Sequence, residues 1–147
     1  MIAVREKAPE FSLPDMNGVL VSLKDFAHKR FVLVFYPGDD TPGCTAQLCA
    51  IRDDAEKFAQ AGVTVLGINH ADALSHAKFV EKYGLTARLL IDEGRAVAER
   101  YGALGSFMGR PTTSRTVYAV NEDGVVAGAW KGAPDTATIL ASFQSAD

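Results

Sequence analysis

The 147-residue sequence is poor in cysteine: it has two, Cys44 and Cys49. That is too few for the disulfide scaffold of a small secreted domain, and short of the four ligands of a structural zinc site. His28, His70 and His76 share no finger-like spacing with them, so no metal is expected. No apolar run approaches the ~20 residues of a membrane span, and no membrane partner is expected. Residues 1–10 hold no long apolar stretch, so no signal peptide is expected either. Lys and Arg are unclustered and the formal charge is −3, which argues against a nucleic-acid surface. Repeats, low-complexity tracts and linkers are all missing. What remains is a chain nearly half apolar and about a fifth charged. Residues 1–147 are therefore expected to form one domain with a hydrophobic core, in the cytoplasm.

Apolar periodicity and turn residues predict the elements. Residues 11–13 and 19–23 flank a Pro-Asp-Met-Asn-Gly turn and read as a short hairpin, with one helical turn over 22–27. The apolar run 31–36, closed by Pro37 and Gly38, reads as a fully buried central strand. Pro42 suits a first helical position with Thr41 as N-cap, and Leu48, Ile51, Ala55, Phe58 and Ala59 then continue one helix up to Gly62. Residues 63–68 form the next strand. Asp72 caps a helix that Gly84 stops, residues 89–91 form a short strand, and 96–101 a short helix. Residues 116–120 and 125–130 flank an Asp-Gly turn as a second hairpin, and Asp135 caps a final helix. Alternating strands and helices predict an α/β sandwich, its sheet made mixed by the late hairpin.

The two cysteines stand between a strand and a helix start, where a helix N-terminus stabilises a thiolate. On one regular helix, positions five apart have Cα atoms roughly 8–9 Å from each other, whereas a disulfide needs less than about 7 Å. The two can bond only if the helix locally unwinds, which suits a redox cycle better than a permanent staple. The plain alternative is a pair of small buried core residues. Against it stand the proline, hydroxyl and glycine arranged around Cys44.

Pro37-x-x-x-Thr41-x-x-Cys44 resembles the active-site motif of peroxiredoxins. The continuation Thr45-Ala46-Gln47-Leu48-Cys49-Ala50-Ile51-Arg52-Asp53 is similar to the bacterioferritin comigratory protein/peroxiredoxin Q branch. Residues 67–84 resemble its second βα unit, and residues 107–110 with 114–120 the segment carrying the family arginine. The resemblance implies a thioredoxin-like sandwich, with a central mixed sheet flanked by helices and an N-terminal hairpin. It implies a thiol-dependent peroxidase acting on hydrogen peroxide and alkyl or other organic hydroperoxides, without a cofactor. Cys44 would be the peroxidatic cysteine, forming a sulfenic acid, and Cys49 would resolve it to a disulfide that thioredoxin or a similar dithiol reduces. A monomer is expected, with a dimer as the alternative. A thiol–disulfide oxidoreductase on the same fold and a peroxide-sensing redox switch stay open as other readings. The first usually carries Cys-x-x-Cys, which is missing here.

A low thiol pKa would not suffice for this chemistry. Moving a thiol from about 8.5 to about 6 raises the thiolate fraction at pH 7 roughly thirtyfold, but lost nucleophilicity cancels roughly tenfold of that. The neighbours must therefore stabilise the departing oxygen. With the resemblance as guide, Thr41 offers a hydroxyl to thiolate and peroxide. Arg115 offers fixed charge and several donors. The N–H groups of Gly43 and Cys44 offer an oxyanion site, and Pro37 shields the thiolate without donating to it. Gln47, Arg52 and Asp53 read as supporting polar groups on a mostly solvated helix face. His76 reads as surface or half-buried with no catalytic role, and Trp130 as core or edge packing. Only residues 111–114 separate Arg110 from Arg115, a shorter loop than many family members carry.

Overall fold

Alternation along one strand decides the architecture. The computed structural model describes residues 1–144, and in it β3 (Arg30–Phe35) has Phe31, Leu33 and Phe35 in one apolar cluster and Val32 and Val34 in another. Successive side chains of a strand point to opposite faces, so a strand apolar at every position from Phe31 to Phe35 is covered on both. It lies third in a five-stranded sheet of order β5 (Arg88–Ile91), β4 (Val63–Asn69), β3, β8 (Thr116–Val120) and β9 (Val126–Lys131). β4 pairs parallel with β3 and with β5. β8 pairs antiparallel with β3 and with β9. The expected mixed sheet is present.

One face of the sheet carries Leu48 and Ile51 of α1 (Pro42–Asp53), Phe58 of α2 (Ala55–Gln60), Phe79 of α3 (Ala73–Tyr83), and Ile139 and Phe143 of α5 (Thr136–Gln144). The other carries Val97 and Ala98 of α4 (Ala96–Arg100), Tyr101, and the N-terminal Phe11 and Val21. The expected hairpin is β1 (Ser12–Pro14) with β2 (Leu20–Ser22), followed by a helical turn over Leu23–Phe26. Asp15 fastens its turn: one carboxylate oxygen accepts from the N–H groups of Asn17 and Val19, the other from Arg88 of β5. Asp72 caps α3 by accepting from the Ser75 N–H, and Gly84, at φ 61°, closes it in the left-handed conformation that glycine adopts without strain.

Two expectations are corrected. The single helix up to Gly62 is two: α1 ends at Asp53, the N–H of the capping Asp54 returns to carbonyls of the last turn, and α2 starts anew. Asp53 and Asp54 are poor helix formers, and the Asp54 carboxylate is taken by the Thr136 hydroxyl at 2.5 Å. Residues 111–114, expected as a loop, and residues 104–110, for which no element is predicted, supply a hairpin of β6 (Leu104–Phe107) and β7 (Arg110–Thr113). Pro111 within the second strand argues against a strand in the sequence. The turn uses Met108 and Gly109, both at positive φ, which fits a two-residue hairpin turn but is not signalled by methionine. Trp130 is half-buried on β9, an edge strand, as expected.

The topology gathers loops at one end of the sheet. β3, β4 and β5 run in parallel, so the segments after Phe35, Asn69 and Ile91 leave from the same edge. β8 runs the opposite way and enters there, with Phe35 opposite Thr116. Arg115 is one step earlier and comes beside the segment after β3.

Candidate active site

Cys44 is the third residue of α1 and is fully buried. Pro42 opens the helix, and the first helical bond runs from the Thr45 N–H to the Thr41 carbonyl. The N–H groups of Gly43 and Cys44 therefore have no helical acceptor and add to the positive end of the helix. Proline costs nothing at this first position, since its missing N–H would have been unpaired.

Arg115 reaches the thiol. Its Nη2 lies 3.3 Å from Cys44 Sγ, and its Nη1 donates to Gln47 Oε1 at 2.7 Å. The guanidinium crosses directly over Gly43: a Cβ built there would meet Nη2 at 3.0 Å. Glycine at 43 thus leaves room for the arginine as well as starting the helix. The structure brings Cys44, Gly43 and Arg115 together. Gln47 is corrected: it is buried, not on a solvated face, and aims Arg115 at the sulfur. Its place three residues after Cys44 puts both on one side of the helix, which was the available signal.

Thr41 stands at the N-cap with extended backbone, but its hydroxyl makes no capping bond. It donates to the Gly38 carbonyl at 3.3 Å and is exposed. Pro37 is half-buried directly after the buried Tyr36. Cys49 sits half-buried farther along α1, packed against the core, and both cysteines are free thiols. On a regular helix their Cα atoms are roughly 8–9 Å apart, so unwinding has to precede bonding. Cys44 is fully covered, so a side chain over it has to move before a reactant reaches the sulfur.

Arg52 bridges α1 to α3: Nη1 donates to the Tyr83 carbonyl at 2.5 Å, while Nε and Nη2 hold Asp53. Asp40, in the loop before α1, is held at the surface by Lys82 and by the Tyr83 hydroxyl.

Sequence reasoning missed a buried polar group beside the site. His76, expected at the surface or half-buried, is fully buried, and Asp39 of the loop lies against it. Burial by itself would raise the Asp39 carboxyl, but bonds from His76, Tyr36 and Ser75 outweigh it and hold the group below its ordinary value. Tyr36 is pushed well above the usual tyrosine range, first by burial, then by the Asp39 charge and hydrogen bond, and also by Cys44. Among the described residues, no group of three or more His, Cys, Asp or Glu is placed to hold a metal ion.

The sequence matches the AhpC/TSA family over residues 4–129. It is 47% identical over 121 residues to the chloroplastic peroxiredoxin Q of Arabidopsis thaliana, covering 82% of this chain and 56% of that protein. The chain thus spans about half the length of the curated plant relatives it matches. A Coxiella burnetii protein named as a peroxiredoxin of the bcp type is 40% identical over 133 residues, covering 88% of each. Among solved structures, peroxidoxin BcpB from Mycobacterium tuberculosis superposes with TM-score 0.89 at 27% identity, over 100% of this chain and 99% of that one. The bacterioferritin comigratory protein of Xanthomonas campestris, described for its alkyl peroxide reduction activity, matches in fold with TM-score 0.81 at 24% identity, over 92% and 90% of the two chains.

Proposed function

The chain belongs to the AhpC/TSA family and has its thioredoxin-like peroxiredoxin fold, and from that premise we propose that it is a thiol-dependent peroxidase with Cys44 as its nucleophile. The observation that carries the reading is Arg115 Nη2 3.3 Å from Cys44 Sγ at the start of α1. A thiolate held there faces the donors that a departing oxygen needs. Sγ attacks the terminal oxygen of a hydroperoxide, forming an S–O bond as the O–O bond breaks. The leaving alkoxide or hydroxide takes a proton and departs as alcohol or water, leaving Cys44 as sulfenic acid. Negative charge grows on the leaving oxygen, and Arg115 with the N–H groups of Gly43 and Cys44 meets it at fixed positions. Thr41, exposed at the rim, needs only a rotation of its side chain to bond a peroxide, and Pro37 limits water at the other side.

Resolution follows by displacement: the Cys49 sulfur attacks the Cys44 sulfur, water leaves, and a disulfide between the two closes. Their separation on an intact α1 requires its first turns to unwind. A dithiol of the thioredoxin type then supplies two electrons and two protons. The alkyl peroxide activity of the Xanthomonas campestris protein supports including organic hydroperoxides beside hydrogen peroxide.

The same reading treats residues 1–147 as one domain, monomeric in solution, which sedimentation tests. Cytoplasm is kept as the expected location although the plant relatives are named chloroplastic; fractionation of the source cells tests it. No helix among the described residues is long and apolar enough to cross a membrane. The deciding experiment is peroxide consumption by wild type and Cys44→Ser with thioredoxin as reductant. The variant is expected to consume peroxide at the rate of buffer, and full activity in Cys44→Ser would end the proposal.

A further inference from the structure

Asp39 has no part in the chemistry above, yet its carboxylate meets four donors. Oδ1 accepts from the Tyr36 hydroxyl at 2.7 Å and from Asn69 Nδ2 at 3.0 Å. Oδ2 accepts from the Ser75 hydroxyl at 2.7 Å and lies 2.7 Å from His76 Nδ1. An ionised carboxylate offers about four acceptor sites, so all are used. The donors come from the residue after β3, the end of β4 and the first turns of α3. All this converges on a loop residue two positions before Thr41.

The other imidazole nitrogen decides the charge. His76 Nε2 lies 2.9 Å from the Leu90 carbonyl of β5. A carbonyl only accepts, so Nε2 carries a proton. An ionised carboxylate also only accepts, so Nδ1 carries one too, and two protons make the ring a cation. Placing the proton on Asp39 instead would leave Nδ1 bare. Tyr36, Asn69 and Ser75 oppose that arrangement, because each donates to the ionised carboxylate.

We propose that His76 is a buried imidazolium whose ion pair with Asp39 positions residues 37–41 ahead of Cys44. The pair is a positioning device and touches no reacting atom; its effect on rate rests on the peroxidase reading. Such a pair adds little to stability, since desolvation offsets the attraction, but separating the partners leaves a buried charge uncompensated. The loop is thereby favoured in the one arrangement that puts Asp39 on His76. The titratable or charged groups near enough to act on the pair are Tyr36, Asp40 and His70, with Cys44 reaching it through Tyr36 and Arg95 through His70. Among these Asp40 is engaged at the surface by Lys82 and Tyr83.

The test begins with nitrogen NMR of the imidazole rings in the reduced protein at neutral pH, with His76→Gln to assign the signals. Both nitrogens of His76 are expected to be protonated, and a bare Nδ1 overturns the ion pair. This readout needs no peroxide and stands whether or not the peroxidase reading does. In Asp39→Asn, oxidation of Cys44 by hydrogen peroxide is expected to slow about tenfold, the scale of one net hydrogen bond, and His76 is expected to lose one proton. A folded Asp39→Asn oxidised at the wild-type rate overturns the positioning role. Should that variant fail to fold, Ser75→Ala removes one half-buried donor and is expected to oxidise about threefold more slowly; an unchanged rate overturns the role equally. If the wild type reduces no peroxide, alkylation of Cys44 by iodoacetamide in the Cys49→Ser background replaces oxidation. Adding Asp39→Asn is then expected to speed alkylation by uncovering the buried thiol, and an unchanged rate counts against the proposal.

Discussion

The two flanks of Cys44 are held by different means. Upstream, Asp39 joins the loop to Tyr36, Asn69, Ser75 and His76 through short bonds around a fully buried imidazole. Downstream, α1 is held by Arg115 on Gln47, by Arg52 on the Tyr83 carbonyl and by the packing of Leu48 and Ile51. It ends at Asp53, capped by Asp54, without continuing into α2. One flank is tied by buried polar groups that are costly to separate. The other is a short helix with a break at its far end, which can open without dragging α2 from the sheet. On the proposed peroxidase reading this asymmetry has a use: the loop ahead of Cys44 keeps its place while the helix that carries Cys49 lets go.

The largest expected effect isolates the downstream flank. Cys49→Ser should oxidise once at the wild-type rate and then stop, because no disulfide forms for thioredoxin to reduce. A stopped-flow burst without steady-state turnover is the expected trace, and sustained turnover would mean that another route recycles Cys44. Next comes Arg115→Ala, which removes the charge and donors over the sulfur. Loss of one such donor typically costs about 100- to 1000-fold, and the rate constant for Cys44 oxidation should fall by about 100-fold. Gln47→Ala leaves Arg115 present but unaimed and should cost about tenfold in that rate, the scale of one hydrogen bond to a charged group. Arg115 truncation costing no more than Gln47 truncation would separate the arginine from the chemistry.

The smallest effect is on acid stability. The Asp39 carboxyl lies below its ordinary value: burial would raise it, but His76, Tyr36 and Ser75 outweigh burial. Asp15 is likewise lowered against burial, by Arg88 and by the N–H groups of Val19 and Asn17. A carboxyl depressed in the folded state stabilises it above the unfolded value of about 3.9, and that stabilisation is lost as pH falls through the folded value. Thermal melts should decline in midpoint below about pH 4, and Asp39→Asn should flatten that decline. An acid limb unchanged in Asp39→Asn would show that the upstream network contributes no pH-dependent stability.

How much of this was legible in the sequence follows from the range of the signals. β3 and the helix faces are written locally, in alternation and in 3.6-residue spacing, and the order of elements came out of them. Cys44, Thr41 and Pro37 sit within eight residues, and the motif resemblance alone pointed to Arg115 far downstream. His76 and Asp39 were unreadable because their meaning is a partnership across 37 positions, and each alone looks like an ordinary helix or loop residue facing solvent. Gln47 had the right spacing from Cys44, but its partner lies 68 positions away. At the break, Asp54 is bonded by Thr136 of α5, 82 positions away, and the β6–β7 hairpin hides behind a proline and a methionine that local preferences place elsewhere.

The central claim, that Cys44 attacks and Cys49 resolves, is tested most directly by one equivalent of hydrogen peroxide added to the reduced protein, followed by peptide mass spectrometry. The predicted product is two hydrogens lighter, with one disulfide linking Cys44 to Cys49. Recovery of Cys44 as an unmodified thiol while peroxide is consumed, or oxidation confined to Cys49, would contradict it.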